Sequence, residues 1–496
     1  MNRKMKILTL LSVFTLVSCN QSPKKGGDEP FVPSRGEIFE VQYSGFYDAS
    51  MSQKMSFNKS LFLEENVSST FNIDMAYQSY ALALSANAAS NHPYSSYDTN
   101  FRYFASQLDF KNVYVNDLYN QKPTKDSLGY CFATKELNAY YNLLAIGIRG
   151  TGYGAEWVNN FLVGKEGDHL GFSTWAKTII DDMKTYMSDH NLSFENTKIW
   201  VSGYSRAGGI ANLVGTYIDD LIFKGGCRGL TLDDVFVYTF EAPQGALKTD
   251  QNDKYTNIIN VRSGHDFIPY ILPDVYNFTV NGQIYVTSNV VSDKALKKEL
   301  KRIDKNIEMP HFTGKKLNIF TFEISDDPDR SDLKVDDYWD YLINTYLSKI
   351  NATASYPSLV DISSREKYVD NLQDAALHFF EIFFNLTSEQ ESSIVSTISS
   401  QDPASLVSII TGSNPDALFN VVSNAFTTAG VSYEEETLRS DCGDLQALAS
   451  AYYLSDPSNF LLKEVATVIG NIDSIIFNHI VEIGLGYLNH LFEYLK

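Results

Sequence analysis

Short apolar runs alternate with longer amphipathic stretches through much of the first 290 residues of this 496-residue chain. Continuous apolar runs of this length are typical of strands buried on both faces, and the stretches between them carry apolar residues at helical spacing. The predicted strands lie at 143–148, 198–202, 235–240 and 258–261, and the predicted helices at 73–90, 174–190 and 206–218. Strands separated by helices predict an α/β fold with a mostly parallel sheet and helices on both faces.

One strand runs into a glycine-rich turn and then a helix, with the sequence GYSRAGG at residues 203–209. A serine at a strand–turn–helix junction of this kind is the arrangement of a nucleophile elbow, because small neighbours let the backbone close around a strained residue. The N-terminus of the following helix favours negative charge that develops nearby. Ser205 is therefore the candidate nucleophile, and a glycine turn that serves only helix packing is the alternative.

Acyl transfer through a serine also requires an oxyanion hole made of backbone N–H groups. The residue after the nucleophile, Arg206, is the first candidate donor. Thr151 is the second, because it follows the strand at 143–148 in a loop whose glycines allow the backbone to turn toward the site.

Four motifs in order make residues 73–290 resemble the lipase (class 3) family of α/β-hydrolases. IRGT at 148–151 with EWVNNF at 156–161, HLGF at 169–172, GYSRAG at 203–208 and YTFEAP at 238–243 are similar to the family's motifs. The chain departs from them in Tyr204, where the family has His, in Arg206, where it has Leu, and in Glu241, where it has Gly. The resemblance implies an α/β-hydrolase fold and a Ser-His-Asp mechanism acting on carboxylic esters.

The same resemblance implies the acid and the base of the triad. Asp266 lies just past a strand end and matches the family's acid, with Asp274 as a poorer alternative. His479 begins a segment that looks like H-x-x-E-x-x-L-x-x-L, which carries the catalytic His in related lipases. His311, in a Pro-containing loop, is the alternative base, whereas His378 on an apolar helix is expected to serve packing.

Roughly 210 residues separate Asp266 from His479, more than a typical small domain. Most of that span predicts amphipathic helices joined by polar turns. We therefore expect a hydrolase core at 41–290, a mostly helical insertion or cap at 291–470, and a C-terminal segment at 471–496 that returns to the core. The insertion either shapes an acyl pocket or serves packing and partner binding.

The N-terminus has the pattern of a bacterial lipoprotein. Residues 1–18 hold a basic start and an apolar run too short to span a bilayer, and they end before Cys19 in a sequence, LVSC, that resembles a lipobox. We expect Cys19 to be acylated, and the Pro- and Gly-rich residues 19–40 to tether the domain to a membrane of the cell envelope, facing outside the cytoplasm.

Charge and motifs exclude several classes of function. Removal of residues 1–18 leaves 37 basic against 60 acidic side chains, a net charge of −23 that disfavours nucleic-acid binding. We find no phosphate-binding loop and no metal-ligand motif, and a serine mechanism needs neither a cofactor nor a metal. The sequence thus predicts a membrane-anchored serine hydrolase acting on lipid esters, as a lipase or esterase. A non-catalytic envelope-binding lipoprotein is the alternative, since it would keep the elbow glycines but need no base.

Overall fold

The computed structural model describes most of residues 30–305 and parts of 306–495. The predicted signal peptide, Cys19, Thr151 and His311 lie outside them, as does most of 306–363. The described residues are 30–45, 50–87, 96–150, 154–264, 266–272, 274–305, 307, 317–318, 321–322, 364–400, 405, 409, 414, 416–455 and 477–495.

The chain enters the fold through an antiparallel strand pair, β1 (Glu37–Tyr43) and β2 (Met51–Phe57). Phe31, which precedes this pair, is already buried in the core. Packing therefore begins inside the segment whose composition predicts a tether.

The other strands form a seven-stranded sheet and two small antiparallel pairs. Their bounds are β3 Lys111–Val115, β4 Tyr130–Glu136, β5 Asn142–Ile148, β6 Thr197–Tyr204, β7 Val235–Phe240, β8 Ala246–Leu247, β9 Ile258–Arg262, β10 Phe278–Thr279, β11 Gln283–Val286, β12 Leu317–Asn318 and β13 Thr321–Phe322. The large sheet has the order β11-β9-β7-β6-β5-β4-β3. Strands β5, β6, β7, β9 and β11 are parallel, whereas β3 and β4 are antiparallel to their neighbours.

Helices cover both faces of this sheet. Those of at least seven residues, with the one-turn α3, are α1 Ile73–Ala86, α2 Thr99–Gln107, α3 Gly154–Trp157, α4 Leu170–Asp189, α5 Arg206–Phe223, α6 Asp293–Ile303, α7 Arg365–Asn371, α8 Gln373–Phe384, α9 Ser388–Ser399, α10 Asp416–Ala429, α11 Glu435–Ser455 and α12 Val481–Tyr494. Asn72 caps α1 by accepting a hydrogen bond from the Met75 amide at 3.0 Å.

The alternating side chains of β6 show how the two layers form. Trp200 faces a core that includes α1, α6 and α12, whereas Ile199 and Val201 face a second core built with α4 and α5. The basic helix α6 packs on α12 through Leu296 and Leu300. A mostly parallel sheet between helical layers is the predicted α/β-hydrolase fold, and this prediction is confirmed.

Helices α6 to α11 lie within 291–470, the predicted insertion, although α6 packs on the core through α12. Helices α8 to α11 share a separate apolar core, which includes Phe379, Phe419 and Phe426. Among the described helices, none combines the length and the apolar character needed to cross a membrane. Cys131, Cys227 and Cys442 are buried as free thiols.

Candidate active site

Ser205 stands at the junction of β6 and α5 in a strained conformation. Its φ is 60° and its ψ −132°, a region that residues with a Cβ seldom adopt. Its amide donates to the Phe240 carbonyl at 2.8 Å, which ties the turn to β7. The close packing requires glycine at 203, since a Cβ there would lie 2.3 Å from the Ala207 carbonyl oxygen. This geometry is that of the nucleophile elbow predicted from the motif.

Three predicted residues meet at this turn although the chain separates them widely. The Oγ of Ser205 lies 2.8 Å from Nε2 of His479, and Nδ1 of His479 lies 2.5 Å from Oδ2 of Asp266. An ionised carboxylate is only an acceptor, so Nδ1 carries the proton, and Nε2 accepts from the serine hydroxyl. The contacts place a base beside a hydroxyl and an acid behind the base, the arrangement that activates a serine.

Asp266 is fully buried at the end of the loop that follows β9. Its second oxygen, Oδ1, accepts from the Ile268 amide at 2.9 Å. The two contacts hold the carboxylate in one orientation toward His479.

Two tyrosines hold the segment that carries His479. The Tyr204 hydroxyl donates to the His479 carbonyl, and the rings of these two residues stack with centroids 5.2 Å apart. The Tyr80 hydroxyl donates to the Val481 carbonyl at 2.6 Å. Tyr204 occupies the position where the family has His, so this departure serves to position the base.

Burial keeps the His479 imidazole neutral at rest. Removal from water lowers its pKa to about 4, although the nearby Glu241 acts in the opposite direction. A neutral imidazole at neutral pH is the form that can accept the proton of Ser205.

Glu241 places a second buried carboxyl beside Asp266. It stands at the end of β7 with φ 47°, and both its oxygens accept from the Ser263 amide, at 2.9 and 3.1 Å. Burial and the adjacent Asp266 raise the pKa of Glu241 well above its ordinary value, and the two side chains share a hydrogen bond. Burial also raises the pKa of Asp266, to about 8. Since two buried carboxylates in contact repel each other, the pair shares one proton, and the remaining negative charge faces His479 through Asp266.

A mainly apolar cavity of about 170 Å³ opens beside Ser205. Its walls come from the core and from the insertion, because Tyr368 of α7 also lines it. The complete set is Asn160, Phe161, Val163, Phe172, Ser205, Arg206, Pro243, Ile268, Ile271, Leu272, Tyr276 and Tyr368. The insertion therefore contributes directly to the space that a substrate would enter.

The insertion also holds one wall of this cavity in place through Arg365. Its guanidinium, which is largely buried, donates to five consecutive or near-consecutive carbonyls, among them Gly164 at 2.5 Å and Gly167 at 2.7 Å. The remaining acceptors are the carbonyls of Val163, Glu166 and Asp168. Gln373 of α8 accepts from the Val163 amide at 2.9 Å.

The motifs before the elbow form a buried polar frame. Arg149 donates to Glu156 at 2.5 Å, and both side chains are fully buried. His169 stacks on Phe172, and one ring nitrogen contacts the Asn160 carbonyl at 3.1 Å. Burial lowers the pKa of His169 to about 3, so this histidine is neutral and structural.

The other predicted residues stand as follows. Arg206 begins α5 beside Ser205, where its amide is the candidate oxyanion donor. Thr151 and His311 lie outside the described residues, so neither role is tested. Asp274 opens a short 3-10 turn, Asp274–Tyr276, and His378 pairs with Asp441 within the insertion at 3.2 Å.

Comparison with known proteins gives the family of the central segment. Residues 145–276, which include β5, the elbow and Asp266, match the sequence model of the family Lipase (class 3). This segment belongs to the lipase (class 3) family. The match supports a carboxylic ester hydrolase that acts on lipid esters, as the motifs imply. No curated protein matches the chain.

Solved structures similar to this chain include a triacylglycerol lipase described as having a serine protease triad in its catalytic centre, at 19% identity and a TM-score of 0.31. The alignment covers 44% of this chain and 82% of that one. The lipase from Rhizopus microsporus var. chinensis is 13% identical with a TM-score of 0.29, over 52% of this chain and 82% of that one. The mono- and diacylglycerol lipase from Aspergillus oryzae is 15% identical with a TM-score of 0.30, over 44% and 80%.

Sequence reasoning missed three contributions to the candidate site. The roles of Tyr204 and Glu241 could not be predicted from the motif, because each residue differs from the one that the family has at that position. Arg365 lies in the insertion, where helical periodicity shows that a helix forms but not what its polar residues contact. A charged residue at the start of a predicted helix that otherwise packs inward is the signal that points to Arg365.

Proposed function

We propose that this protein is a membrane-anchored lipase or esterase that cleaves carboxylic esters of lipids, with Ser205, His479 and Asp266 as its triad. The observation that carries the proposal is the pair of contacts of His479, 2.8 Å to the Ser205 hydroxyl and 2.5 Å to Asp266. The family of residues 145–276 supports the same chemistry.

In the proposed reaction, Ser205 Oγ attacks the ester carbonyl while His479 Nε2 takes the hydroxyl proton. Asp266 holds the ring and stabilises the imidazolium that forms, and the hydrogen bond between Glu241 and Asp266 keeps that carboxylate in place. The negative charge on the tetrahedral oxygen is stabilised by the Arg206 amide at the start of α5 and, on the sequence argument, by the Thr151 amide. His479 then gives its proton to the departing alcohol.

Water completes the cycle. His479 takes a proton from a water molecule, which attacks the acyl-enzyme and forms a second tetrahedral intermediate. When this collapses, the acid leaves and the proton returns to Ser205. The apolar walls of the cavity fit the acyl portion of an acylglycerol or phospholipid.

Hydrolysis of p-nitrophenyl butyrate by the purified ectodomain, residues 20–496 of the chain, tests the proposal. Ser205→Ala and His479→Ala should each lose about 1000-fold or more in kcat, because the triad members act as a unit. Ser85→Ala is the matched control, since Ser85 is another buried serine whose hydroxyl donates only to the Leu82 carbonyl among the contacts found. Wild-type protein without esterase activity, or Ser205→Ala with normal activity, contradicts the proposal and favours a non-catalytic lipoprotein.

Anchoring through Cys19 is proposed from the sequence of the N-terminus. The full-length protein, expressed in a bacterium fed with labelled palmitate, should incorporate label and sediment with membranes. Cys19→Ser should lose the label and leave the membrane fraction. Labelling that persists in this variant contradicts acylation at Cys19.

A further inference from the structure

Helix α6 carries an exposed row of lysines on an otherwise acidic protein. Residues 294–305 hold six basic and two acidic side chains, whereas residues 19–496 as a whole hold 37 basic and 60 acidic ones. Lys294, Lys298 and Lys301, which form the lysine face, are all exposed. Their spacing of four and three residues places them on one side of the helix. Glu299 is buried and pairs with Arg302 at 2.9 Å, so the lysine face remains positive.

The opposite side of α6 is fixed to the core. Leu296 and Leu300 are buried, and both contact α12 near Gly486. The two helices lie close together, since a Cβ on Gly486 would lie 2.9 Å from the Leu296 side chain. An α-helix turns by about 100° per residue, so the lysine face points away from these contacts. The three lysines therefore lie on an outer surface of the domain that packing holds in place.

The first described residues of the chain lie against the same two helices. The Phe31 ring packs on the Phe492 ring of α12 with centroids 6.4 Å apart, and the Arg302 guanidinium of α6 lies 5.0 Å from the Phe31 ring centroid. Arg35 donates to the carbonyls of Phe492 and Leu495, at 2.9 and 3.4 Å. Arg302 directly follows the last residue of the lysine face. The segment that leads back to the N-terminus thus leaves the domain beside the lysine face.

The chain between this exit and the proposed anchor is short. Twelve residues lead from Cys19 to Phe31, and twelve residues span at most about 40 Å. Val32, Tyr494 and Leu495 are exposed beside the exit. Basic side chains together with exposed apolar and aromatic ones are typical of surfaces that lie at lipid headgroups. An acylated Cys19 would therefore hold the lysine face within reach of a membrane surface.

We infer that the lysine face of α6 binds anionic phospholipid headgroups of the membrane that holds Cys19, and that this contact orients the domain on the membrane. Each Lys near an anionic surface contributes about fivefold in partition, so three contribute about 100-fold. That is weak for a free protein, but a tether supplies a high local concentration of lipid. The acidic remainder of the surface is repelled by the same lipid, which favours one orientation. The inference rests on the proposed anchoring at Cys19.

Acetylation of lysines on membrane-bound protein tests the inference. The acylated full-length protein is inserted into preformed vesicles of phosphatidylcholine, or of equal parts phosphatidylcholine and phosphatidylglycerol. It is then treated with N-hydroxysuccinimidyl acetate, and mass spectrometry gives the rate at each lysine. Lys298 and Lys301 should react at least about threefold more slowly on the anionic vesicles, and high salt should remove the difference. Lys177, an exposed lysine of α4 in the other helical layer, should react equally on both.

Equal rates at Lys298 and Lys301 on the two kinds of vesicle overturn the inference. So does equal slowing at Lys177, because the domain would then have no preferred orientation.

A variant without the lysine face tests whether its charge causes the protection. Lys305, which is exposed two residues past the end of α6, serves as the reporter. Its slowing on anionic vesicles should be lost in the triple variant Lys294→Gln, Lys298→Gln, Lys301→Gln. Undiminished slowing of Lys305 in this variant overturns the inference.

The matched control removes the same charge from exposed positions of the other helical layer. It is the triple variant Lys177→Gln, Lys184→Gln, Lys224→Gln, with two substitutions in α4 and one just after α5. Lys305 should stay protected in this control. An equal loss of its protection in the two triple variants overturns the inference, because net charge alone would then explain it.

A second form of the protein separates the lysine face from the anchor. Residues 20–496 with an N-terminal histidine tag are held on the same vesicles by a nickel-chelating lipid, which replaces the acyl group at the same point of the chain. Lys298 should again react at least about threefold more slowly on the anionic vesicles, and equal rates overturn the inference. If this form is protected but the full-length protein takes up no palmitate, the proposed anchor fails while binding of anionic lipid by α6 stands.

Discussion

Gly203→Ala tests whether the tight packing of the elbow sets the position of the nucleophile. An added Cβ would lie 2.3 Å from the Ala207 carbonyl oxygen and 2.5 Å from its carbonyl carbon. Both are backbone atoms of the turn that presents Ser205, so no side chain can move aside. To bring the shorter contact to 3.0 Å, the backbone must shift by at least about 0.7 Å.

A shift of this size acts directly on the reaction geometry. Misplacement of a reacting group by about 1 Å costs about 100-fold in rate, so we expect kcat/KM for p-nitrophenyl butyrate to fall about 100-fold. Circular dichroism and thermal unfolding show whether the variant is folded under the assay conditions.

The matched control is Gly443→Ala, in the interior of α11. A Cβ there has no atom within 4 Å, and alanine favours a helix by about 1 kcal/mol over glycine. This variant should keep full activity. A folded Gly203→Ala enzyme with activity within threefold of wild type would refute the argument that elbow packing positions Ser205.

Three further predictions concern the surroundings of the triad. Glu241→Leu removes both the donor to Asp266 and the acceptor of the Ser263 amide, so it should lose at least about tenfold more kcat than Glu241→Gln, which keeps a donor and an acceptor. Equal effects of the two substitutions in steady-state assays would contradict proton sharing. Protonated His479 cannot accept the serine proton, and burial lowers its pKa to about 4. The value of kcat/KM should therefore fall as the pH drops through about 4. Half-maximal activity near pH 6.5 in a folded enzyme would contradict this. Arg365→Met should lower the free energy of unfolding in urea by about 3 kcal/mol, because buried carbonyls lose a charged donor; a change below about 1 kcal/mol would show that those bonds contribute little.

The central strands and the elbow could be predicted because their physical signals are local. Strand β6 is buried at every position, so it is apolar or small nearly throughout, and the close contact with Ala207 of the turn requires glycine at 203 near its end. Helix α1 has both its apolar content and its Asn72 cap in adjacent residues. Strand β1 was harder to predict from the sequence. Its alternating pattern follows a Pro- and Gly-rich stretch, and the composition there favours a tether.

The triad could be predicted only in part from local pattern. Ser205 has a local signature, but His479 lies 213 residues from Asp266. The separation of two residues along the chain does not indicate their distance in space. The family resemblance supplied that pairing. Proton sharing by Glu241 depends on burial and on contact between two loops, and neither property can be read from the letters YTFEAP at 238–243.

Labelling with a fluorophosphonate probe tests the central claim most directly, because such a probe forms a stable bond only with an activated serine. The purified ectodomain should gain one adduct, which peptide mass spectrometry places on Ser205. His479→Ala should slow the labelling strongly, and Ser205→Ala should abolish it. An adduct on another residue, or a native protein that takes no label, would contradict the account.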